Sequence, residues 1–149
     1  MDAIYEHHCH SNNLPRVHQG QRMVDPATGV PVTIDQELVP LITALWASGI
    51  RAVASCQNLA EYVETAWPDR LPEILADETS PLSHAGNVRH RLAYVRVVTD
   101  TPAAEKFIEQ AAPLLEAVRR LDQLVQLEFS PEQVPSLLAT AHDIRGWAA

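Results

Sequence analysis

The stretch "DQELVPLITALWASGIRAVASCQNLAEYV", residues 35–63, decides the fold because its hydrophobic period changes twice. Leu38, Ile42, Leu45 and Trp46 recur on one face at helical spacing. Asp35 stands where an N-cap belongs, with Leu38 rather than Glu three positions on, so a full capping box is absent. Pro40 falls in the first turns, where a lost N–H costs least, and Gly49 suits the helix stop. "IRAVAS", 50–55, then alternates as a strand does. "CQNLAEYVETAW" turns helical again over about 58–66, until Pro68 stops it.

Working outward, residues 1–15 keep no steady period and read as an irregular arm. Asp25-Pro26-Ala27-Thr28-Gly29 is a turn signal, and short strands near 20–24 and 30–34 make a hairpin around it. Downstream, a short helix is expected at 71–77, followed by a loop. "RLAYVRVVT", 91–99, is the clearest strand, rich in β-branched and aromatic residues. A long helix is expected over 101–120, capped by Thr101, with Pro102 in its first turn and Pro113 either kinking or dividing it. "LVQLEF", 124–129, reads as a strand, and a helix capped by Ser130 runs to about Arg145. The order predicts an α+β fold: a small mixed sheet of three or more strands covered by helices, forming a single domain over 16–149.

Composition narrows the partners. The 149 residues are 46% hydrophobic, enough for one domain to build a core without a disulfide or metal. The formal charge is -8, and Lys106 is the single lysine. Nonspecific nucleic-acid binding is therefore not expected, since it requires a basic surface; Arg89, His90, Arg91 and Arg96 form the one basic patch. No apolar run approaches a bilayer's thickness and no secretory leader is evident, so a cytoplasmic protein with free Cys9 and Cys56 is expected, without membrane attachment.

Two places could carry chemistry. "YEHHCHSNN", 5–13, offers His8, Cys9 and His10 as metal ligands, zinc being the natural ion, with His18, Cys56, His84 or His90 available to complete the set. Against this, there is no C-x-x-C and no H-E-x-x-H, and a polar arm of solvated imidazoles is the simpler account. The second place is Ser55-Cys56-Gln57-Asn58, where a strand hands over to a helix. Backbone N–H groups there favour an anion and lower a thiol pKa. Phosphoryl transfer is disfavoured, because Tyr62 stands six positions after Cys56 where an arginine is needed and no glycine follows the cysteine in the loop. A peptidase-like pairing of Cys56 with His84 or His90 has no local support. The plain alternative makes Cys56 a buried hydrophobe and Asn58 an N-cap. Tyr94, Arg96 and Asp100 form a polar strand face that reads first as half-exposed surface. Trp46 is expected in the core, and Trp67 and Trp147 at element ends.

The segment "IDQELVPLITALWASGIRAVASCQ", with the later strand "AYVRVV", resembles small uncharacterised proteins of actinobacteria and their phages, in which a helix ending "LW-x-x-G" precedes a strand closing in "S-C-Q". The resemblance covers residues 34–57 and part of 92–108. Those proteins often carry a glycine next, where this chain has Asn58. It implies no activity, but it marks the strand-end turn as the place of interest. The expectation is a non-enzymatic protein recognising a small anionic ligand or a protein partner, through Ser55, Cys56, Gln57 and Asn58 with Arg89, Arg91 and Arg96. Its rivals are a metal-dependent hydrolase using the N-terminal His/Cys cluster and a homodimeric interaction protein.

Overall fold

The structure, a computed structural model, describes residues 18–148, the last two as backbone alone. The arm at 1–15, with His8, Cys9 and His10, lies outside the described residues, as does the side chain of Trp147. Strands β1 (Gly20–Val24) and β2 (Pro31–Asp35) pair antiparallel as a ribbon, Gly20 opposite Asp35. Their turn follows its residues: Asp25 Oδ1 accepts from the Ala27 N–H at 2.8 Å, and Gly29 adopts φ +72°.

A short 3-10 turn, Gln36–Leu38, leads into α1 (Val39–Ala47). Asp35 does not cap it. Its carboxylate instead accepts the Gln57 N–H at 2.8 Å, tying the ribbon to the end of β3 (Arg51–Cys56). Gly49, at φ +76°, ends α1 as expected. Asn58 caps α2 (Leu59–Ala66), accepting from the Glu61 N–H at 3.0 Å. After α3 (Leu71–Ala76), the expected loop contains a further short helix, α4 (Ala85–Arg89), before β4 (Ala93–Val98).

The expected long helix over 101–120 is corrected. Thr101 caps α5 (Pro102–Ala111), which stops at a 3-10 turn, Ala112–Leu114, holding Pro113. Proline lacks the N–H and its ring strikes the preceding turn, so the helix ends rather than kinks. The residues beyond form an edge strand, β5 (Ala117–Leu121), which turns through Asp122 at φ +54° into β6 (Leu124–Phe129). The chain closes with α6 (Val134–Ala148).

The main sheet has the order β3-β4-β6-β5. Each neighbouring pair is antiparallel, so the sheet is not mixed, while the α+β class holds. Helices α1, α5 and α6 cover one face around Leu45, Val95, Val97, Phe107 and Leu127. The other face packs under α2, α3 and α4 around Cys56, Tyr62, Val63, Val88 and Tyr94. β4 is therefore covered on both sides. Tyr94 and Arg96 are buried at 0% and 1% exposure, which corrects the expectation of a half-exposed strand. Among the described residues no helix is long and apolar enough to cross a membrane.

Candidate functional site

Antiparallel register sets two rows of side chains across the second face of the sheet. Cys56, Tyr94, Glu128 and Ala117 stand opposite one another in one row, and Ala54, Arg96, Gln126 and Arg119 in the next. The charged and polar members meet in the interior, where each needs a partner. Gln126 serves as the relay. Its Oε1 accepts from Arg96 Nε at 3.0 Å and Nη2 at 2.7 Å, while its Nε2 donates to Glu128 Oε2 at 3.0 Å and to the Ser83 carbonyl at 3.1 Å. Glu128 Oε2 also accepts from Arg119 Nε at 2.5 Å. Cation, amide, carboxylate and second cation thus form one chain across three strands.

His84, just before α4, completes this network. Arg96 Nη2 lies 3.1 Å from His84 Nε2, so the imidazole accepts there and carries its proton on Nδ1. Burial, then the nearby charges of Arg96 and Arg119, hold its pKa well below the ordinary 6.5, which keeps the ring neutral. The ring also lies against Tyr94, with centroids 4.7 Å apart.

At the outer end of the network a cleft of about 450 Å³ opens between α4 and the β5–β6 hairpin, a volume suited to a small molecule. Its lining includes Glu78, Arg89, His90, Glu116, Arg119 and Glu128. The Glu128 side chain is 1% exposed, and its Oε1 has no hydrogen-bond partner among the described residues. Gly86 lets α4 approach closely: a Cβ there would sit 3.2 Å from Arg119 Nη2 and 3.9 Å from Glu128 Oε1. Arg89, exposed on the rim, donates to the Leu75 carbonyl at 3.4 Å and has no carboxylate partner among the described residues.

A second cluster lies where β2, β3 and the approach to β1 converge. His18, Asp35 and Cys56 are all buried, and one ligating atom from each lies within 4.8 Å of the others. His18 Nδ1 is 3.3 Å from Asp35 Oδ2, and its Nε2 is 3.4 Å from Glu61 Oε1. Burial disfavours the imidazolium, but the hydrogen bonds and charges of Asp35 and Cys56 outweigh it and raise the His18 pKa from 6.5 to about 10. Thiol, imidazole and carboxylate in mutual reach can hold a metal or share protons. Attack on an external substrate requires an opening, and Cys56 is 0% exposed.

The residues singled out in the sequence are thus distributed over several places. Ser55 and Cys56 are buried and Gln57 and Asn58 half-buried at the strand-to-helix junction. The Gln57 N–H is committed to Asp35, and the Asn58 side chain to the cap of α2. Arg89 lines the cleft, Arg91 pairs on the surface with Glu64 at 2.8 Å, and Arg96 lies in the buried network. The imidazole brought to Cys56 is His18, while His84 joins Arg96. Asp35, Gln126 and Glu128 were not legible as site residues, since Asp35 resembles a helix cap and the other two read as the polar side of an alternating strand. Among known protein families, curated proteins and solved structures, none matches this chain.

Proposed function

We propose that the chain is a non-enzymatic binding protein that takes a small polar ligand in the cleft between α4 and the β5–β6 hairpin. The ligand bears an anionic group for Arg89 and an N–H donor for Glu128. The observation that carries this reading is Glu128, a cleft-lining residue whose buried Oε1 has no hydrogen-bond partner among the described residues. Leaving such an atom unpaired costs about 1–3 kcal/mol, which a ligand N–H recovers on binding. Arg89 supplies the complementary cation, its planar fork suited to carboxylate or phosphate. Glu78 and Glu116 give the cleft a mixed charge that favours a zwitterion over a simple anion. This retains the anionic-ligand expectation and moves it from the Ser55–Asn58 turn to the opposite end of the polar rows.

Calorimetric titration with free amino acids, aminoalkyl phosphates and inorganic phosphate tests the reading. The zwitterions are expected to bind with heat that falls at least tenfold in affinity on Glu128→Gln and on Arg89→Ala, while phosphate alone binds more weakly and is indifferent to Glu128→Gln. Equal titration curves for the parent and both variants would discard the cleft as a ligand site.

A further inference from the structure

We infer that His18, Asp35 and Cys56 form a binding site for one transition-metal ion of the zinc class, independent of the cleft. Three chain segments bring the ligands together. His18 precedes β1, Asp35 ends β2 opposite Gly20, and Cys56 ends β3. All three are buried, and the set of thiol, imidazole and carboxylate suits a borderline-soft ion better than calcium or magnesium, which take oxygen alone.

The spacing also fits an ion. Zinc holds nitrogen and oxygen at about 2.0–2.2 Å and sulfur at about 2.3 Å, so two tetrahedral ligands stand about 3.3 Å apart or slightly more. His18 Nδ1 and Asp35 Oδ2 stand at 3.3 Å, and the full set lies within 4.8 Å, a gap that a small side-chain adjustment closes. Supports of the kind metal centres use are already in place. With Nδ1 turned to the ion, Nε2 faces Glu61 Oε1 at 3.4 Å, a carboxylate positioned to take the second imidazole proton. The Gln57 N–H, 2.8 Å from Asp35 Oδ2, orients the carboxylate. Three protein ligands leave a fourth position for water.

The test uses the full chain, stripped with chelator and titrated with Co²⁺ under reducing conditions, followed by displacement with Zn²⁺ in competition with a chromophoric chelator. One equivalent of Co²⁺ is expected, with a thiolate-to-metal charge-transfer band and the intense visible bands of a tetrahedral ion. Cys56→Ser should abolish the charge-transfer band, and His18→Gln and Asp35→Asn should each weaken binding at least tenfold, with folding of each variant verified by circular dichroism. A triple variant at His8, Cys9 and His10 serves as the control for location. Retention of the Cys56-dependent band in that variant supports the site. Absence of saturable binding in the parent chain, or binding that survives Cys56→Ser with His18→Gln but is lost in the triple variant, overturns it.

Discussion

At the scale of single residues, the polar row beneath α4 sets the largest mutational effects. Gln126 accepts from both Nε and Nη2 of Arg96, while its own amide bonds Glu128 and the Ser83 carbonyl. Gln126→Leu removes two bonds to the buried Arg96 guanidinium and both bonds of its own amide at once. The expected loss is about 3–5 kcal/mol, a large part of a small domain's stability. Urea denaturation measures it, and a loss below about 1 kcal/mol would show that the network is not coupled through Gln126. His84 gives a pH signature. Its folded pKa lies well below the unfolded 6.5, so beneath pH 6.5 the unfolded chain binds a proton that the folded chain does not. Stability therefore falls as pH drops from about 6.5, by up to about 1.4 kcal/mol per pH unit, and is flat in this group above it. His84→Gln keeps an acceptor for Arg96 and removes the titration. The difference between parent and variant stabilities should thus change between pH 7 and pH 5, and identical slopes would exclude a neutral buried His84.

At the scale of elements, the termini obey local rules closely enough to be tested one at a time. Gly49 ends α1 at φ +76° with nothing among the described residues within 4 Å of a Cβ built on it, so Gly49→Ala isolates backbone strain from packing. The expected cost is about 1–2 kcal/mol. Asn58→Ala removes the side-chain bond to the Glu61 N–H at the start of α2 and should cost about 1 kcal/mol. Both are read from denaturation midpoints, and a neutral result in either would mean that packing, not the terminus, fixes the helix end. These stops and caps were legible because a glycine, an asparagine or a threonine acts over three or four residues. What was not legible acts over longer distances. "EAVRRL" continues a helical pattern after Pro113 and becomes a strand because β6 offers it a partner through the Asp122 turn. Asp35 reads as a cap, yet bonds Gln57, twenty-two residues away. Arg96 and Tyr94 look like a wet strand face because nothing local announces that α2, α3 and α4 return to cover it.

At the scale of the molecule, the two sheets differ in how firmly they are held. β4 and β6 are central strands paired on both edges and buried on both faces. The β1–β2 ribbon is two-stranded, mostly exposed along β1, and a lone hairpin is marginal in water. Its attachment runs through Ile34, Met23 and Val32 on the main core and through the His18, Asp35 and Cys56 cluster at its base. Amides of β4 and β6 should therefore exchange with solvent only on global unfolding, whereas those of β1 and β2 exchange through a local opening of lower free energy. The cluster spans this boundary, with His18 and Asp35 on the ribbon side and Cys56 at the end of β3. An ion bound there would have to be released before the ribbon could open. Adding Zn²⁺ at a hundred times its dissociation constant should slow exchange in β1 and β2 by up to about a hundredfold, equivalent to about 2.7 kcal/mol, until the rate meets that of global unfolding. In Cys56→Ser the same addition should leave the ribbon's rate unchanged. Ribbon amides already as slow as those of β4 without metal would mean that the two sheets open as one unit and that the cluster fastens nothing the core does not.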